Sequence, residues 1–506
     1  MKKIILFSLL GAIIILAGVI LIVGRGEEPK QPYRPTDSSK SDPFSLISRD
    51  GLVEDIDYYL SLIDQAHGDP YHQVTKPALW AKAEEVKSRL RAFEPEEIQL
   101  IDAYFYLQEV AAFMQDEHTK VWFIRSWHKH FPERFPLGIK IYDGNVYVIQ
   151  DLSPTGIPVY AKLLSINGKP VGEMIDECRK FVNQTLPHYK RQIAEQTFGT
   201  WLQAYFKNKP PWEVAYRYNG QEKMVKVSAI SAEEFRKKAR QDSMYSESSL
   251  EANEEKVPVL KIPSFYFEDR KAYDKFMDDF FTKHKDKDTI VIDIRRNPGG
   301  DGRWALAVLD YLMDSPYLRH RRFDFKISKP FADIARYYLR YQYHEKKFPR
   351  LLWWFPFWDL IVDNYWLDKV ESAKIGEYAE EHDVYWTPDP KKVTYKGKVY
   401  LLVSNYTNSA AVVFTAIFKH HGIGTIVGQE TGGRQVFSSD SITIEMPKST
   451  LNVFVPVAIL ALAGDNPDRG ILPDVEVEYT FEDYKSKKDK DLEKVKELIL
   501  QDQQRK

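Results

Sequence analysis

The sequence contains very little cysteine and no large excess of charge of either sign. Its 506 residues include one cysteine, Cys178, so a disulfide within the chain is excluded. The 71 lysine and arginine residues nearly balance the 73 aspartate and glutamate residues, which gives no indication of nucleic-acid binding. The sequence also lacks a P-loop, a dinucleotide-binding glycine motif, an HExxH motif and a Cys/His cluster. We therefore predict neither a cofactor nor a metal site.

Long uncharged hydrophobic runs are also scarce, and the N-terminus carries a segment that is long enough to cross a bilayer. Residues 4–23 contain no charged side chain and follow two lysines, and a membrane-spanning helix needs about 20 such residues. A cleaved signal peptide usually has a shorter apolar region and a small-residue cleavage site. We predict an uncleaved transmembrane anchor over residues 1–24, a flexible linker over 25–45, and an extracytoplasmic location for the rest. Secretion after signal-peptide cleavage is the alternative.

A serine at the start of a predicted helix is the strongest indication of catalytic chemistry. Residues 399–403 predict a buried strand, a polar turn follows at 405–408, and Ser409 opens an amphipathic helix that stops at Gly422. A hydroxyl there lies beside unpaired backbone N–H groups and the positive end of the helix dipole, which favour an alkoxide and an oxyanion. Serine is also a favoured N-cap residue, so the pattern alone leaves helix capping open.

A second segment, DTIVIDIRRNPGGDG at residues 288–302, combines a strand with a glycine turn. Residues 289–294 predict a buried strand, and Asn-Pro-Gly-Gly then predicts a tight turn that ends in Gly299 and Gly300. Because glycine has no side chain, the backbone N–H groups of such a turn can come close to whatever lies beyond it. The turn suits one half of an oxyanion hole, although the same residues are also ordinary turn chemistry.

A third segment, MQDEHTK at residues 114–120, places His118 in a polar patch after a helical run. An imidazole with its usual pKa of about 6.5 is suited to general base catalysis. Isolated histidines are more often structural or solvent-exposed. The local pattern therefore leaves both a catalytic and a structural explanation open for His118.

Together these segments resemble the family of tail-specific (C-terminal processing) and tricorn-like serine peptidases. The order IDIRRNPGG, NSAAVVFTAIF, VGQETGG and RGILPDVEV is similar to that of the family, over roughly residues 257–325 and 390–480. The resemblance implies an α/β (α+β multidomain) protein in which a PDZ-like β module precedes a crotonase/ClpP-like protease core. It also implies Ser409 as the nucleophile, with the N–H of Ala410 and an N–H of Gly299 or Gly300 as oxyanion donors.

The group that activates the serine differs between the two branches of this family. The processing-protease branch uses a lysine shortly after the nucleophile helix, and Arg434 stands at that position here. A guanidinium stays protonated at neutral pH and cannot accept the hydroxyl proton. The tricorn-like branch uses a distant histidine, which the resemblance assigns to His118, and a late carboxylate that orients it. The resemblance places Asp468 closest to that carboxylate, with Asp465 nearby, although the glutamate of the family pattern is absent.

Changes in periodicity along the chain predict its domain organisation behind the anchor. Helical spacing over residues 46–135 predicts a small helical domain that carries His118 near its end. Short strands over 136–256, with the phrase LLSINGKPV, predict the PDZ-like β module, and a plain Asn-Gly hairpin explains the same phrase. The protease core is predicted over 257–480, and a charged C-terminal helix over 481–506.

An insertion dense in aromatic residues, 318–389, interrupts the predicted core. It contains the stretch LLWWFPFWDLIVDNYW. The composition is compatible with burial in a subdomain, with a lid over the active site, with a contact between subunits, and with contact with a membrane surface. The sequence does not distinguish these roles and does not predict an oligomeric state.

The sequence as a whole predicts a membrane-anchored, extracytoplasmic serine endopeptidase. Its expected partners are protein or peptide substrates and, through the N-terminal helix, a membrane. A catalytically inactive relative that binds a hydrophobic or peptide ligand is the main alternative, because the family lysine is missing and the acid motif is imperfect. A third interpretation is an adaptor that recruits peptides through the PDZ-like segment.

Overall fold

The structure is a computed structural model, and it describes residues 33, 40–124, 127–239, 244–252, 255–345, 365–464 and 466–505. The predicted anchor, most of the predicted linker and residues 346–364 of the aromatic insertion lie outside the described residues. Within the described ranges, no helix is both long enough and apolar enough to cross a bilayer.

Three long helices dominate the N-terminal part of the described chain. Two of them begin at capping residues: the Ser48 hydroxyl accepts a hydrogen bond from the Gly51 N–H, and the Thr75 hydroxyl accepts one from the Ala78 N–H. Their apolar faces belong to the same hydrophobic core as the C-terminal half of the chain. The elements of this part are β1 (Leu46–Ser48), α1 (Arg49–Ala66), α2 (Lys76–Arg91), β2 (Glu97–Gln99), α3 (Leu100–Phe113), β3 (Lys120–Val121) and α4 (Trp127–His130).

An antiparallel sheet with two helices packed on it forms the next part. Its elements are β4 (Glu133–Arg134), β5 (Leu137–Tyr142), β6 (Asn145–Asp151), β7 (Lys162–Ile166), β8 (Lys169–Pro170), α5 (Val171–Arg179), α6 (Pro187–Ala204), β9 (Trp212–Tyr218), β10 (Gln221–Val227), β11 (Ile230–Ser231) and α7 (Ala232–Ala239). The strand order is β10-β9-β7-β6-β5, with β8 on β7. Asn219 and Gly220 join β9 to β10 with φ angles of 49° and 76°, as an Asn-Gly hairpin requires. This part has its own apolar core, centred on residues such as Trp212 and Phe198.

Two further sheets and their helices form the core of the molecule. Its elements are β12 (Ser246–Ala252), β13 (Glu255–Lys261), α8 (Arg270–His284), β14 (Thr289–Asp293), α9 (Gly302–Leu309), β15 (Tyr317–Lys326), α10 (Lys329–Glu345), α11 (Tyr365–Ser372), β16 (Tyr378–Ala379), β17 (His382–Trp386), β18 (Lys398–Val403), α12 (Ala410–His420), β19 (Thr425–Gly428), β20 (Val436–Glu445), β21 (Asn452–Ala461) and β22 (Val475–Glu476). The first sheet has the order β12-β13-β14-β18-β19-β22 and is parallel from β13 onward. Its central strands are apolar runs, as expected for parallel strands that are buried on both faces.

The second core sheet connects the N-terminal helices to the core. It has the order β16-β15-β21-β20, with β17 on β15 and β3 on β21. The pairing of Val121 with Val453 anchors the loop that follows α3 against this sheet. In the first sheet, Asp293 at the end of β14 lies opposite Leu402 near the end of β18, so the loops after these two strands emerge side by side. The fold therefore brings together three loops that are distant in the sequence: those after α3, β14 and β18.

Two helices complete the chain: α13 (Phe481–Ser486) and α14 (Lys490–Arg505). The Phe481 ring contacts Tyr147 of the β-rich part, with 4.0 Å between ring centroids. The Arg295 guanidinium, in the turn after β14, donates hydrogen bonds to Asp489 and Asp491 at 2.6 and 2.8 Å. The C-terminal helix is thereby linked to the same turn that leads to Gly299.

Candidate active site

Ser409 occupies the turn between β18 and α12. Its backbone has φ 51° and ψ −122°, a region that residues other than glycine rarely adopt and that persists where surrounding contacts enforce it. The Ser409 hydroxyl makes no capping hydrogen bond with α12. Helix capping, the alternative that the sequence left open, is therefore not the role of this hydroxyl.

The side chain that meets this hydroxyl is His118, in the loop between α3 and β3. Its Nε2 atom lies 3.3 Å from Ser409 Oγ, within the range of a nucleophile and its base in an unliganded enzyme. The imidazole stacks on Phe437 with 5.7 Å between ring centroids and 22° between ring planes. The fold thus joins two predicted site residues that are 291 positions apart in the sequence.

The loop that carries His118 is held in place by several hydrogen bonds. The Asp116 carboxylate accepts one from the His118 backbone N–H at 2.8 Å, and it lies 3.0 Å from His67 Nε2. The Asn183 amide donates to three carbonyl groups within residues 116–119, at 2.9 to 3.1 Å. His67 and Asn183 were not identified from the sequence, because no local pattern marks partners that come from other parts of the chain.

The environment of His118 favours its neutral form. Burial lowers the pKa of His118 to about 4, the Asp116 carboxylate opposes this shift, and the Lys120 ammonium reinforces it. A neutral imidazole can accept a proton at one ring nitrogen. Because the side chain retains 22% exposure, substrate can still approach it. The ring therefore meets both requirements of a general base at neutral pH.

The glycine turn lies directly against the nucleophile. A Cβ atom on Gly299 would lie 2.6 Å from Ser409 Cβ and 2.9 Å from the Ala410 nitrogen, so only glycine fits. The Gly299 N–H already donates to Asn297 Oδ1 at 2.8 Å. The N–H groups of Gly300 and Ala410 have no hydrogen-bond acceptor in the part of the chain that the structure describes. Of the predicted oxyanion donors, Gly300 and Ala410 are therefore the available pair.

Asp468, the acid that the resemblance suggested, does not contact His118. Its carboxylate is 68% exposed and lies 3.3 Å from an Arg434 nitrogen and 3.6 Å from His72 Nε2. This carboxylate therefore contacts Arg434 and His72, and not the imidazole of His118. The second suggestion, Asp465, lies outside the described residues. The structure therefore contradicts the prediction that Asp468 orients the imidazole of His118.

The carboxylate that does lie beside the imidazole is Glu117. Its Oε1 atom is 3.8 Å from His118 Nδ1, and the Glu117 side chain is only 10% exposed. The motif DEHT contains this residue, but whether neighbouring side chains turn toward each other depends on the loop conformation. The sequence therefore contains Glu117 next to His118 but does not indicate that its carboxylate faces the imidazole.

A shallow groove opens beside Glu117. All three parts of the chain contribute to its walls, which include Met114, Glu117, Leu186, Arg434, Phe437 and Ile459. The lining is partly apolar and partly charged, as expected for a surface that receives peptide side chains. Among the described residues, no group of three or more His, Cys, Asp or Glu side chains is placed to hold a metal ion.

The segment that contains Gly299, Gly300 and Ser409 matches a known family. The family model described as peptidase family S41 matches residues 256–477. The match covers 222 of the 506 residues, and it confirms the resemblance identified from the sequence. It supports a serine-type peptidase.

Solved structures of other proteins share the architecture of this chain. Mature CPAF complexed with lactacystin is 16% identical, with 90% of this chain and 98% of that chain covered and a TM-score of 0.65. Mature CPAF on its own gives 16% identity, coverage of 90% and 97%, and a TM-score of 0.64. These likenesses concern the fold, and they confirm the predicted mixed α/β multidomain class. No curated protein sequence matches this chain significantly.

Proposed function

We propose that this protein is a serine endopeptidase that cleaves proteins or peptides through an acyl-enzyme. The observation that carries the proposal is the distance of 3.3 Å between His118 Nε2 and Ser409 Oγ. Two backbone N–H groups that have no acceptor among the described residues, those of Gly300 and Ala410, complete the chemistry that acyl transfer needs.

In the proposed reaction, His118 Nε2 takes the hydroxyl proton as Ser409 Oγ attacks the carbonyl carbon of the substrate. The oxyanion of the tetrahedral intermediate accepts hydrogen bonds from the N–H groups of Gly300 and Ala410. The imidazolium then gives its proton to the leaving amine, the C–N bond breaks, and an ester remains on Ser409. His118 next takes a proton from water, which attacks the carbonyl carbon of the ester. The bond between that carbon and Ser409 Oγ then breaks, the imidazolium returns its proton to Oγ, and the carboxylic acid product leaves the free serine.

Strand β20 supports a protein or peptide as the substrate. It lies at an edge of the second core sheet, and its second residue is Phe437, whose ring stacks on His118. An extended peptide added at such an edge obtains main-chain hydrogen bonds that do not depend on its sequence. The proposed substrate is therefore an extended polypeptide segment that passes beside the imidazole.

The proposed location is a membrane, with the catalytic part on the extracytoplasmic side. It rests on the uncharged residues 4–23 and the lysines before them. We expect the full-length chain to stay in the membrane pellet after alkaline carbonate extraction, and the core to be digested by protease added to intact cells. Release of a shortened chain into the medium would instead indicate secretion after signal-peptide cleavage.

A fluorophosphonate probe tests the catalytic assignment, because it reacts with serines that have an activating base. We expect covalent attachment at Ser409, identified by mass spectrometry of the labelled peptide. In His118→Ala the labelling rate should fall by about 100-fold or more, since general base catalysis contributes roughly this much. A natively folded wild-type protein that resists labelling would contradict the proposal and favour the inactive, ligand-binding alternative.

A further inference from the structure

Two polar atoms beside the nucleophile are buried and have no hydrogen-bond partner among the described residues: His118 Nδ1 and Glu117 Oε1. They lie 3.8 Å apart. Buried polar atoms without partners are unfavourable, and most in native proteins are paired. A movement of roughly 0.6 Å would bring this pair within hydrogen-bonding distance. Each atom is therefore the natural partner of the other.

The Glu117 side chain also lies near the loop that carries the nucleophile. Burial raises the pKa of Glu117, and the side chain of Asn408, which directly precedes Ser409, opposes this shift. The Asn408 amide itself donates a hydrogen bond to the Tyr189 hydroxyl at 3.1 Å. The Glu117 carboxylate therefore lies close to both the imidazole and the nucleophile loop.

We propose that Glu117 is the positioning residue of this peptidase and accepts a hydrogen bond from His118 Nδ1–H. The inference rests on the proposed function. With its proton at Nδ1, the imidazole directs the lone pair of Nε2 toward Ser409 Oγ. The carboxylate also stabilises the imidazolium that forms when the serine loses its proton. Asp468 cannot serve in this way from an exposed position beside Arg434.

Protonation of Glu117 reverses this arrangement. A protonated carboxyl donates to His118 Nδ1, so the single proton of the neutral imidazole moves to Nε2 and no lone pair faces Ser409. The pKa of Glu117 is raised to about 7, by burial first, then by the Asp116 carboxylate, against the opposing effects of Asn408, Arg434 and Lys120. Activity should therefore fall as the pH decreases through about 7.

The test compares Glu117→Gln with Asp468→Asn in the full-length protein at mildly alkaline pH. We expect Glu117→Gln to lower kcat by about 100-fold or more, with KM changed by less than about threefold, because the amide no longer enforces the productive tautomer. Fluorophosphonate labelling of Ser409 should slow in parallel. Asp468→Asn should keep both rates within about threefold of wild type. If Glu117→Gln does not fold, Glu117→Asp retains the carboxylate and serves as the second variant.

The pH profile of kcat/KM distinguishes positioning from a purely structural role. In the wild type it should decline below an apparent pKa of about 7. In Glu117→Gln this decline should be absent, and in Glu117→Asp it should return at a shifted pH. Wild-type activity in Glu117→Gln, or a large loss in Asp468→Asn alone, would overturn the assignment and leave the peptidase function standing. A wild-type protein that neither labels nor hydrolyses peptides would instead refute the proposed function itself.

Discussion

Replacing Ser409 with alanine is expected to lower kcat/KM by about 10⁴-fold or more while the protein stays folded. The substitution removes one oxygen atom, the only group at this position that can form the ester. It keeps the Cβ atom, so the packing of Ser409 Cβ against Gly299 is retained. The strained φ of 51° is as unfavourable for alanine as for serine, so the free energy of unfolding should change by less than about 1 kcal/mol.

The measurement combines steady-state hydrolysis of an unstructured protein substrate with thermal unfolding of the same preparation. Ser486→Ala is the control, because the Ser486 hydroxyl lies at the end of α13 and donates to the Asp483 carbonyl at 2.9 Å, away from the groove and from β20. We expect this control to retain activity within about threefold. Peptidase activity that survives in a folded Ser409→Ala protein would show that another group is the nucleophile.

The regular elements of the core were predictable because their signals are local. Residues 289–294 and 399–403 read as buried strands, and the structure has strands at Thr289–Asp293 and Lys398–Val403. The helix after Ser409 was expected to stop at Gly422, and it covers Ala410–His420. Continuous apolar runs and a terminating glycine are properties of neighbouring residues, so one sequence is sufficient to detect them.

The site itself depended on contacts that no local pattern records. His118 lies near Ser409 because β3 pairs with β21. These two strands are more than 300 residues apart in the sequence. The choice between Gly299 and Gly300 depends on the Asn297 side chain, which already occupies the Gly299 N–H. Asp468 was assigned by matching RGILPD to the closing segment of the family, and in the structure its carboxylate pairs with Arg434 instead.

The aromatic insertion is explained only where the structure describes it. Trp366 packs on Phe331 with 5.6 Å between ring centroids, and its indole N–H donates to Asp440 in β20 at 3.1 Å. This residue therefore contributes to an ordinary packed contact with the core, one of the roles that its composition allowed. The stretch LLWWFPFWDLIVDN lies outside the described residues.

Gly299→Ala is expected to reduce kcat by about 10²- to 10³-fold, because the added methyl group must displace the nucleophile. Its Cβ would lie 2.6 Å from Ser409 Cβ and 2.7 Å from the Asn408 carbonyl oxygen, and the φ of Gly299 is +98°. Alanine in such a backbone conformation costs about 1–3 kcal/mol, so the free energy of unfolding should fall as well. Both effects come from the same overlap and should appear together in hydrolysis and denaturant-unfolding measurements.

Gly302→Ala provides the matched control three positions further along the same turn. A Cβ there would have its nearest neighbour, an Arg319 side-chain nitrogen, at 3.9 Å, which is ordinary van der Waals contact. Gly302 is also the first residue of α9, where alanine favours the helix by up to about 1 kcal/mol. We expect kcat within about twofold of wild type and equal or greater stability. Equal losses in the two variants would mean that the turn tolerates no substitution at all, and the specific contact between Gly299 and Ser409 would then not explain the effect on catalysis.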